Sequence, residues 1–204
     1  MHAIKSGFRR LLLWKGVRKL QTFTDRYDYD YNDLDYLLQC VANGNIEALS
    51  HLYKITSTSV YAYALSILKN PQDAEDVLHD CFVRIFTYIG NYRSKGKPMA
   101  WILTITRNLC MNKLQQRKRE PQLYIQDWKQ YIEDRTGGNP EEKLLLRACM
   151  DVLSEEERQI VILHCVSCMS YRQIAQFLQL SVSTVISKYH RSIKKVKKIL
   201  GEEV

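Results

Sequence analysis

The sequence lacks any apolar run long enough to cross a membrane. Stretches such as Leu11–Trp14 and Ile160–Leu163 are far shorter than the roughly 20 residues that a membrane helix needs. The basic start, with Lys5, Arg9 and Arg10, is followed by too short an apolar run and by no small-residue cleavage site, so a secretory signal is not indicated. The sequence therefore predicts a soluble, cytoplasmic protein.

The residue patterns on which common enzyme sites are built are also missing. The chain has no glycine-rich phosphate loop, no readable pair of catalytic carboxylates, and no nucleophile accompanied by a base and an orienting group. We therefore predict no catalytic residue, no cofactor and no small-molecule substrate. An enzyme is the most distant of the function classes that the sequence allows.

Six cysteines are present, and most fall within otherwise apolar helical patterns, where free cysteine behaves as a small buried hydrophobe. A disulfide framework is therefore not predicted. Cys165 and Cys168 form a C-x-x-C motif after His164, but a zinc or redox site would need further ligands or a strand and helix around it. A structural loop is the favoured interpretation and no metal is predicted, although the zinc or redox alternative stays open.

Acidic residues are absent from two long stretches of this basic chain, whose net charge is +8. Residues 158–201 contain eight Lys or Arg and no acid, and residues 101–119 contain five Lys or Arg and no acid. Residues 33–90, by contrast, hold seven acids and three bases. Clustered positive charge favours a polyanion as partner, because each neutralised phosphate releases counterions. A solvated helix face is the alternative interpretation.

Apolar residues recur at helical spacing through residues 33–119 and predict four helices. Gly44 is placed to end the first helix. Asn70 with Pro71 marks the end of the second and the start of the third, and Pro98 starts the fourth. The third helix has an apolar stripe made of Ala74, Val77, Leu78, Cys81, Phe82, Ile85 and Phe86. Its opposite, acidic face is predicted to carry Asp73, Asp76, His79, Asp80 and Arg84.

Helix-start signals recur after residue 140. Ser154 with Glu157 and Ser170 with Gln173 each fit a capping box. Ser181 supplies a third cap, and its distance from Ser170 is the spacing of a helix-turn-helix. The predicted core face consists of Ile174, Ala175, Leu178, Val182, Val185, Tyr189 and Val196. The opposite face, which could enter a DNA major groove, consists of Ser183, Thr184, Ser187, Lys188 and Arg191.

At these positions the sequence resembles a known family. Asn70–Val77 (NPQDAEDV) and Asp80–Arg84 (DCFVR) resemble conserved region 2 of sigma-70 superfamily factors. Ala100–Asn108 (AWILTITRN) is similar to the helix with which that family reads the promoter minus-ten element. Ser170–Ala175 and Leu180–Val185 resemble region 4. The order of the motifs and the short linker between them are typical of the extracytoplasmic-function (ECF) group.

The resemblance implies an all-α protein of two small helical domains. A four-helix region 2 would occupy residues 33–119, and a helix-turn-helix region 4 would occupy residues 141–201. Between them periodicity is poor and Gly137, Gly138, Asn139 and Pro140 punctuate the chain, so residues 120–140 are predicted to be a linker. Residues 1–32 form a basic extension outside the family pattern; an amphipathic surface-binding helix and a misassigned start or disordered arm are the alternatives.

By this resemblance the chain is a sigma factor that binds core RNA polymerase, directs it to promoter DNA and helps to melt the minus-ten element. Core polymerase would be bound by Asp73, Asp76, His79, Asp80 and Arg84. The minus-ten strand would be held by Asn91, Tyr92, Arg93, Ser94, Lys95, Arg107, Asn108, Lys113 and Arg117. The minus-thirty-five element would be contacted by Arg172, Ser183, Thr184, Ser187, Lys188, Arg191 and Lys195. A dedicated anti-sigma protein, often membrane-anchored in this group, is implied as a further partner.

Some residues depart from the family pattern or need weighing. Trp101 starts an apolar stripe and is predicted to pack in the core, so Tyr92 is the better candidate for stacking on a base. His79 stands where the family usually has glutamine, and Gln179 stands where it usually has glycine. The base preference of the recognition helix does not transfer, because its residues differ from the common ones at several positions.

The main rival from another class is a transcriptional regulator that binds duplex DNA through the helix-turn-helix and uses the rest of the chain to dimerise or to sense a signal. This interpretation explains region 4 but not the block from Asp73 to Asn108. A regulator protects its operator without polymerase, whereas a sigma factor requires the core enzyme.

Overall fold

The computed structural model describes residues 31–93, 96–119 and 148–199, with side chains from residue 34 onward. Every regular element in these ranges is a helix, so the all-α prediction is confirmed. The elements are α1 (Tyr31–Ala42), α2 (Ile46–Leu68), α3 (Pro71–Tyr88), a 3₁₀ turn (Ile89–Asn91), α4 (Pro98–Arg119), α5 (Glu155–Cys165), α6 (Tyr171–Leu178) and α7 (Val182–Ile199). The predicted linker and residues 1–30 of the N-terminal extension lie outside the described residues.

The described helices belong to two compact units. The first unit contains α1 to α4, and the second contains α5 to α7. In the first unit α2 packs against α1, α3 and α4, and α3 packs against α4. Leu38, Leu52, Val60 and Tyr63 are completely buried between these helices. Since burying a leucine or valine side chain contributes about 1.5–3 kcal/mol, α2 is the central support of this unit.

The helix ends of the first unit form where the sequence predicts them. Gly44 has a φ of +84° in the turn after α1, a conformation that glycine adopts at little cost. The Asn45 side chain accepts a hydrogen bond from the Ala48 N–H at 3.0 Å and so caps α2. Asn70 caps α3 by accepting from the Asp73 N–H at 2.9 Å, with Pro71 at the first helical position. These caps fix the directions in which α2 and α3 leave the turns.

Cysteine serves as a core residue at the α3–α4 contact, as the helical pattern predicts. Cys81 and Cys110 are completely buried, and Cys81 Sγ lies 3.4 Å from Thr106 Oγ1. Burial raises the pKa of Cys81 to about 11 and that of Cys110 to about 12. Both thiols are therefore protonated at neutral pH and pack as small apolar groups.

In the second unit α5, α6 and α7 pack against one another around Ile160, Leu163, Ile174 and Val185, all of which are completely buried. Both predicted capping boxes are present, at the starts of α5 and α6. Ser181 Oγ accepts from the Thr184 N–H at 3.0 Å and caps α7. The pair α6–α7 has the predicted helix-turn-helix connection.

Two of the predicted core assignments are wrong. Phe86 is 50 % exposed and Val182 is 39 % exposed. Successive residues of an α-helix are about 100° apart around the axis, so Phe86 projects to the side of α3 while Ile85 and Ile89 continue the buried stripe. Val182 is the first residue of α7, and its side chain points back toward the helix start, where no preceding turn covers it.

Gln179 stands at a position where the family usually has glycine. It has a left-handed φ of +58° and ends α6. That conformation costs a non-glycine residue about 1–2 kcal/mol, whereas glycine loses about 0.5–1 kcal/mol more entropy on folding. We therefore expect Gln179→Gly to stabilise the second unit by about 0.5–1 kcal/mol, measured as slower amide hydrogen exchange in α6 and α7. Lys194→Gly, in the exposed interior of α7, is the control and should destabilise by about 1 kcal/mol.

Candidate nucleic-acid and polymerase interface

The predicted acidic face of α3 divides into an open part and a paired part. His79, Asp80 and Arg84 are exposed on the middle and end of the helix. Asp76 is also half-exposed, but the Asp73 side chain is only 15 % exposed. The structure therefore offers the later turns of α3 to a partner and turns the first one toward α4.

The first turns of α3 carry an ion-pair cluster with the last turns of α4. Lys113 Nζ lies 2.7 Å from Asp76 Oδ2 and 3.4 Å from Asp73 Oδ1. Arg117 donates through Nη2 to Asp73 Oδ2 and through Nη1 to the Leu68 carbonyl oxygen at 3.3 Å. Three helices meet at these groups, because Leu68 ends α2. We call these four charged residues the α3–α4 ion-pair cluster.

This cluster is made of residues of the predicted site. Lys113 and Arg117 are half-buried and each contacts a carboxylate, and Asp73 faces α4. Their contacts with DNA and with core polymerase stay predictions. Desolvation alone would lower the pKa of Lys113, but the hydrogen bond to Asp76 and the charges of both aspartates outweigh it and raise that pKa. The lysine stays charged at physiological pH and holds the two helices together.

The loop after α3 is anchored to the rest of the first unit through Tyr92. Its hydroxyl donates a hydrogen bond to Asp35 Oδ1 on α1, and its ring centroid lies 4.8 Å from that of Trp101 on α4. Trp101 is itself half-buried rather than fully enclosed. Tyr92 is thus half-buried and held against α1 and α4, and base stacking by its ring stays a prediction.

The neighbours of Tyr92 in the loop are open to solvent. Asn91 and Arg93 are exposed, and Arg93 Nη1 donates to the Gly90 and Tyr92 carbonyl oxygens at 3.3 and 3.2 Å. Ser94 and Lys95, also predicted to hold the minus-ten strand, lie outside the described residues.

Open polar and cationic groups line one side of α4. Arg107 and Asn108, both predicted, are exposed. Lys118 and Arg119 are exposed as well, although the sequence interpretation did not select them as contacts. Eleven residues separate Arg107 from Lys118, which is about three helical turns and brings both to the same face; that spacing is the signal by which they could have been found.

In the second unit the exposed face of α7 carries Ser183, Ser187 and Arg191, as predicted. Ser181 Oγ lies 2.9 Å from Ser183 Oγ and 2.7 Å from Thr184 Oγ1, which half-buries Thr184 in the capping network. Arg172 is exposed near the start of α6. These hydroxyl and guanidinium groups match those that bond base edges and phosphates in DNA grooves.

Two lysines predicted to contact DNA are instead paired with α5. Lys188 Nζ lies 2.7 Å from Glu156 Oε2, and Lys195 Nζ lies 2.9 and 2.8 Å from the two carboxylate oxygens of Glu157. Glu157 is buried, and it also accepts from the Ser154 N–H at 2.9 Å. Burial would raise the pKa of Glu157, but Lys195 and the N–H of Ser154 outweigh that effect and lower it. Lys195 therefore joins α7 to the start of α5.

The C-x-x-C segment lies at the turn between α5 and α6. His164 Nδ1 is 2.8 Å from the Met169 carbonyl oxygen, and its ring stacks on Tyr171 with centroids 4.4 Å apart. Cys165 Sγ lies 3.7 Å from the Tyr189 hydroxyl, while Cys168 is exposed with a φ of +53°. These contacts are those of a structural turn packed on α7. Among the residues that the structure describes, no three His, Cys, Asp or Glu side chains are gathered in a way that could hold a metal ion.

Comparison with known proteins assigns both units. Residues 52–120 match the family Sigma-70 region 2, and residues 143–196 match the family Sigma-70, region 4. The ECF RNA polymerase sigma factor SigK of Mycobacterium sp. (strain KMS) is 25 % identical over 183 residues, which is 86 % of this chain and 95 % of that protein. The ECF RNA polymerase sigma factor SigX of Bacillus subtilis (strain 168) is 24 % identical over 170 residues, covering 78 % and 88 %.

Solved structures show the same fold. The sigma factor RpoE, solved in complex with the anti-sigma factor NepR from Bartonella quintana, has a TM-score of 0.58 at 20 % identity and covers 76 % of this chain and 98 % of its own. CnrH, solved in complex with the cytosolic domain of CnrY, has a TM-score of 0.58 at 21 % identity and covers 84 % and 98 %.

A four-helix unit followed by a helix-turn-helix unit, each matching its own region, defines a transcription initiation factor of the sigma-70 type. The chain belongs to the ECF group of the sigma-70 family, a family of non-enzymatic initiation factors. It is a promoter-directing sigma factor of RNA polymerase. The operator-binding regulator is thereby set aside, since it does not account for region 2. Within the described residues, no helix combines the length and apolarity that a membrane crossing requires.

The Glu157–Lys195 pair leads to a pH-dependent prediction. Because the pKa of Glu157 is lower in the folded chain, the stabilisation is present above the pKa of the unfolded chain, about 4.3, and is lost as pH falls through the folded value. We expect Glu157→Gln to cost the second unit about 1–3 kcal/mol at pH 7 and progressively less toward acid pH, as measured by hydrogen exchange in α5 and α7.

The control for this prediction is Glu155→Gln, which removes an exposed acid from the same first turn of α5. It should change stability by less than about 1 kcal/mol. Equal effects of the two variants, or an effect of Glu157→Gln that does not shrink toward acid pH, would contradict the role given to the pair.

Proposed function

We propose that the two units divide the work of promoter opening. The exposed part of α3 binds core polymerase, the loop after α3 and the open face of α4 hold the melted minus-ten strand, and α7 enters the major groove at the minus-thirty-five element. The observation that supports this division is the distribution of charge: α4 and α7 expose several cations, whereas α3 exposes Asp76 and Asp80 beside the single cation Arg84.

The polymerase-binding role is supported by apolar side chains beside the charged ones. Val83 is 64 % exposed and Phe86 is 50 % exposed on α3, next to His79, Asp80 and Arg84. Exposed apolar residues rimmed by polar ones are typical of protein-binding surfaces. In this proposal Asp73 and Asp76 act within the ion-pair cluster and orient α3, with Asp76 reaching the rim of the docking surface.

Strand capture at the minus-ten element requires no nucleotide hydrolysis. Unstacking a base costs a few kcal/mol, and stacking, hydrogen bonds and phosphate pairing recover it. The groups available for this are Asn91, Arg93, Arg107 and Asn108, with Lys118 and Arg119 adding phosphate contacts. Lys113 and Arg117 support them by fixing α4 against α3.

At the minus-thirty-five element, Arg191, Ser187 and Ser183 would read the major groove. Arginine forms a two-pronged contact with guanine that contributes about 1–3 kcal/mol of discrimination. Arg172 and Lys194 are placed for phosphates, while Lys188 and Lys195 maintain the orientation of α7 on α5.

We also propose that an anti-sigma protein holds this chain inactive and that it works in the cytoplasm, on the nucleoid when bound to polymerase. The support is that two proteins of similar fold were solved in complexes, RpoE with the anti-sigma factor NepR and CnrH with the cytosolic domain of CnrY. Purification of the chain from its native cell without any inhibitory partner would count against this part.

The experiment that tests the proposal as a whole is run-off transcription with purified core polymerase and a library of promoter fragments. Transcripts that require this chain and share two short upstream elements would support the division of labour. Transcripts that share only one element would limit DNA reading to a single unit.

Asp80→Lys reverses the charge at the centre of the proposed polymerase-binding surface. We expect it to weaken core binding by at least tenfold, because like-charge contact in an interface costs several kcal/mol, while binding of the minus-thirty-five duplex stays unchanged. Core affinity is measured by fluorescence anisotropy of the labelled chain. Gln39→Lys on α1 adds positive charge elsewhere on the first unit and is the control; unchanged core affinity in Asp80→Lys would remove this surface from the proposal.

Arg191→Ala should weaken holoenzyme binding to the promoter by about 1–3 kcal/mol without changing core affinity. If Arg191 contacts a phosphate rather than a base, the slope of log affinity against log salt falls by about one. The matched control is Lys195→Met, which should lower the stability of the second unit and leave that slope unchanged. A lower slope in Lys195→Met would show that this lysine leaves Glu157 for DNA.

A further inference from the structure

The beginning of the loop after α3 is held in place by a contact with α1, a helix that has no cationic residue of its own. α1 contains no Lys or Arg, so it has no obvious means of holding a phosphate. Its Asp35 nevertheless accepts the hydroxyl of Tyr92 from across 57 residues of sequence. Asp35 is half-buried, and its carboxylate contacts Tyr92 of the same unit.

Tyr92 lies where three elements meet. Its N–H donates to the Ile89 carbonyl oxygen at 2.8 Å and closes the 3₁₀ turn, which packs against α1. Its ring rests on Trp101 in the first turn of α4, with an interplanar angle of 57°. The hydroxyl, the ring and the backbone of this one residue therefore connect α1, α4 and the end of α3.

We infer that Asp35 is a positioning residue for capture of the minus-ten base, acting through Tyr92. This inference rests on the proposed function of the loop and of α4. The hydrogen bond between Tyr92 and Asp35 fixes the position of the loop relative to the exposed polar face of α4. Asn91 and Arg93 of the loop can then contact the same DNA strand as Arg107 and Asn108 of α4. A loop that becomes ordered only when it binds loses conformational entropy, and this loss weakens the affinity for the ligand. Binding groups on a loop therefore need contacts that hold them in place beforehand.

Variants that remove or keep the Tyr92–Asp35 hydrogen bond can distinguish a positioning role of Asp35 from a role in packing alone. Asp35→Ala removes the acceptor, Tyr92→Phe removes the donor but keeps the ring on Trp101, and Asp35→Asn keeps an amide oxygen that can accept the same hydroxyl. Tyr36→Phe, on an α1 residue that is 66 % exposed, removes a hydroxyl without touching the loop and is the matched control.

The experiment measures binding of the reconstituted holoenzyme to single-stranded minus-ten oligonucleotides, each with and without an abasic substitution at the captured position. For the wild type, the ratio of the two affinities reports how well the base is held. We expect Asp35→Ala and Tyr92→Phe to reduce this ratio by roughly tenfold, as for loss of a hydrogen bond to a charged group, and Asp35→Asn and Tyr36→Phe to preserve it. Core affinity should be unchanged in all four.

The outcomes separate this inference from the proposal beneath it. If the wild type binds both oligonucleotides equally, the loop captures no base, and the proposed minus-ten role fails together with this inference. If the wild type discriminates and Asp35→Ala discriminates equally well, only the positioning role is overturned. If Asp35→Ala weakens core binding and both oligonucleotides by the same factor, Asp35 supports the stability of the whole unit, which also overturns the inference.

Discussion

The α3–α4 ion-pair cluster is the contact on which the geometry of the first unit depends. Asp73 is largely removed from solvent, and a carboxylate in that position is costly unless cations and hydrogen bonds compensate it. Arg117 and Lys113 supply that compensation only when the last turns of α4 lie beside the first turns of α3. The pairing therefore selects one register of α4 along α3. Once that register is set, the open face of α4 and the exposed later turns of α3 have fixed positions.

The second unit uses the same device at a different place. Glu157 belongs to the capping box of α5 and also accepts a hydrogen bond from Lys195 of α7, so one buried carboxylate caps the start of one helix and orients another. In both units a cation predicted to contact DNA forms an ion pair between two helices. Breaking either pair from one side leaves a desolvated charge without a partner, which is typically worse than never having had the pair. Lys113, Arg117 and Lys195 consequently stabilise the packing of the helices.

Much of the fold could be predicted because its signals are local. Caps such as Asn70 and Ser154, and the glycine at position 44, act within four residues of themselves, so the sequence places the helix boundaries directly. The pairing partners could not be read in this way. Whether Lys113 meets a phosphate or Asp76, 37 residues away in sequence, depends on the register between α3 and α4. Helical periodicity predicts the face on which a residue lies but not the residue that it contacts. The hydrogen bond between Tyr92 and Asp35 could not be predicted for the same reason, since it joins α1 to the loop after α3.

Counting charge from sequence therefore overstates the surface available to DNA. Residues 158–201 hold eight Lys or Arg, but Arg158 donates to the Met150 and Leu153 carbonyl oxygens, and Lys188 and Lys195 are paired with α5. Five cations remain, namely Arg172, Arg191, Lys194, Lys197 and Lys198. Each phosphate neutralised contributes about 0.9 to the salt slope of duplex binding, so these five cations limit the contribution that residues 158–199 make to that slope. Phosphate contacts carry no sequence information, so in the proposed division of labour the selection of a promoter depends on base contacts in the groove and on the polymerase that the first unit would bind.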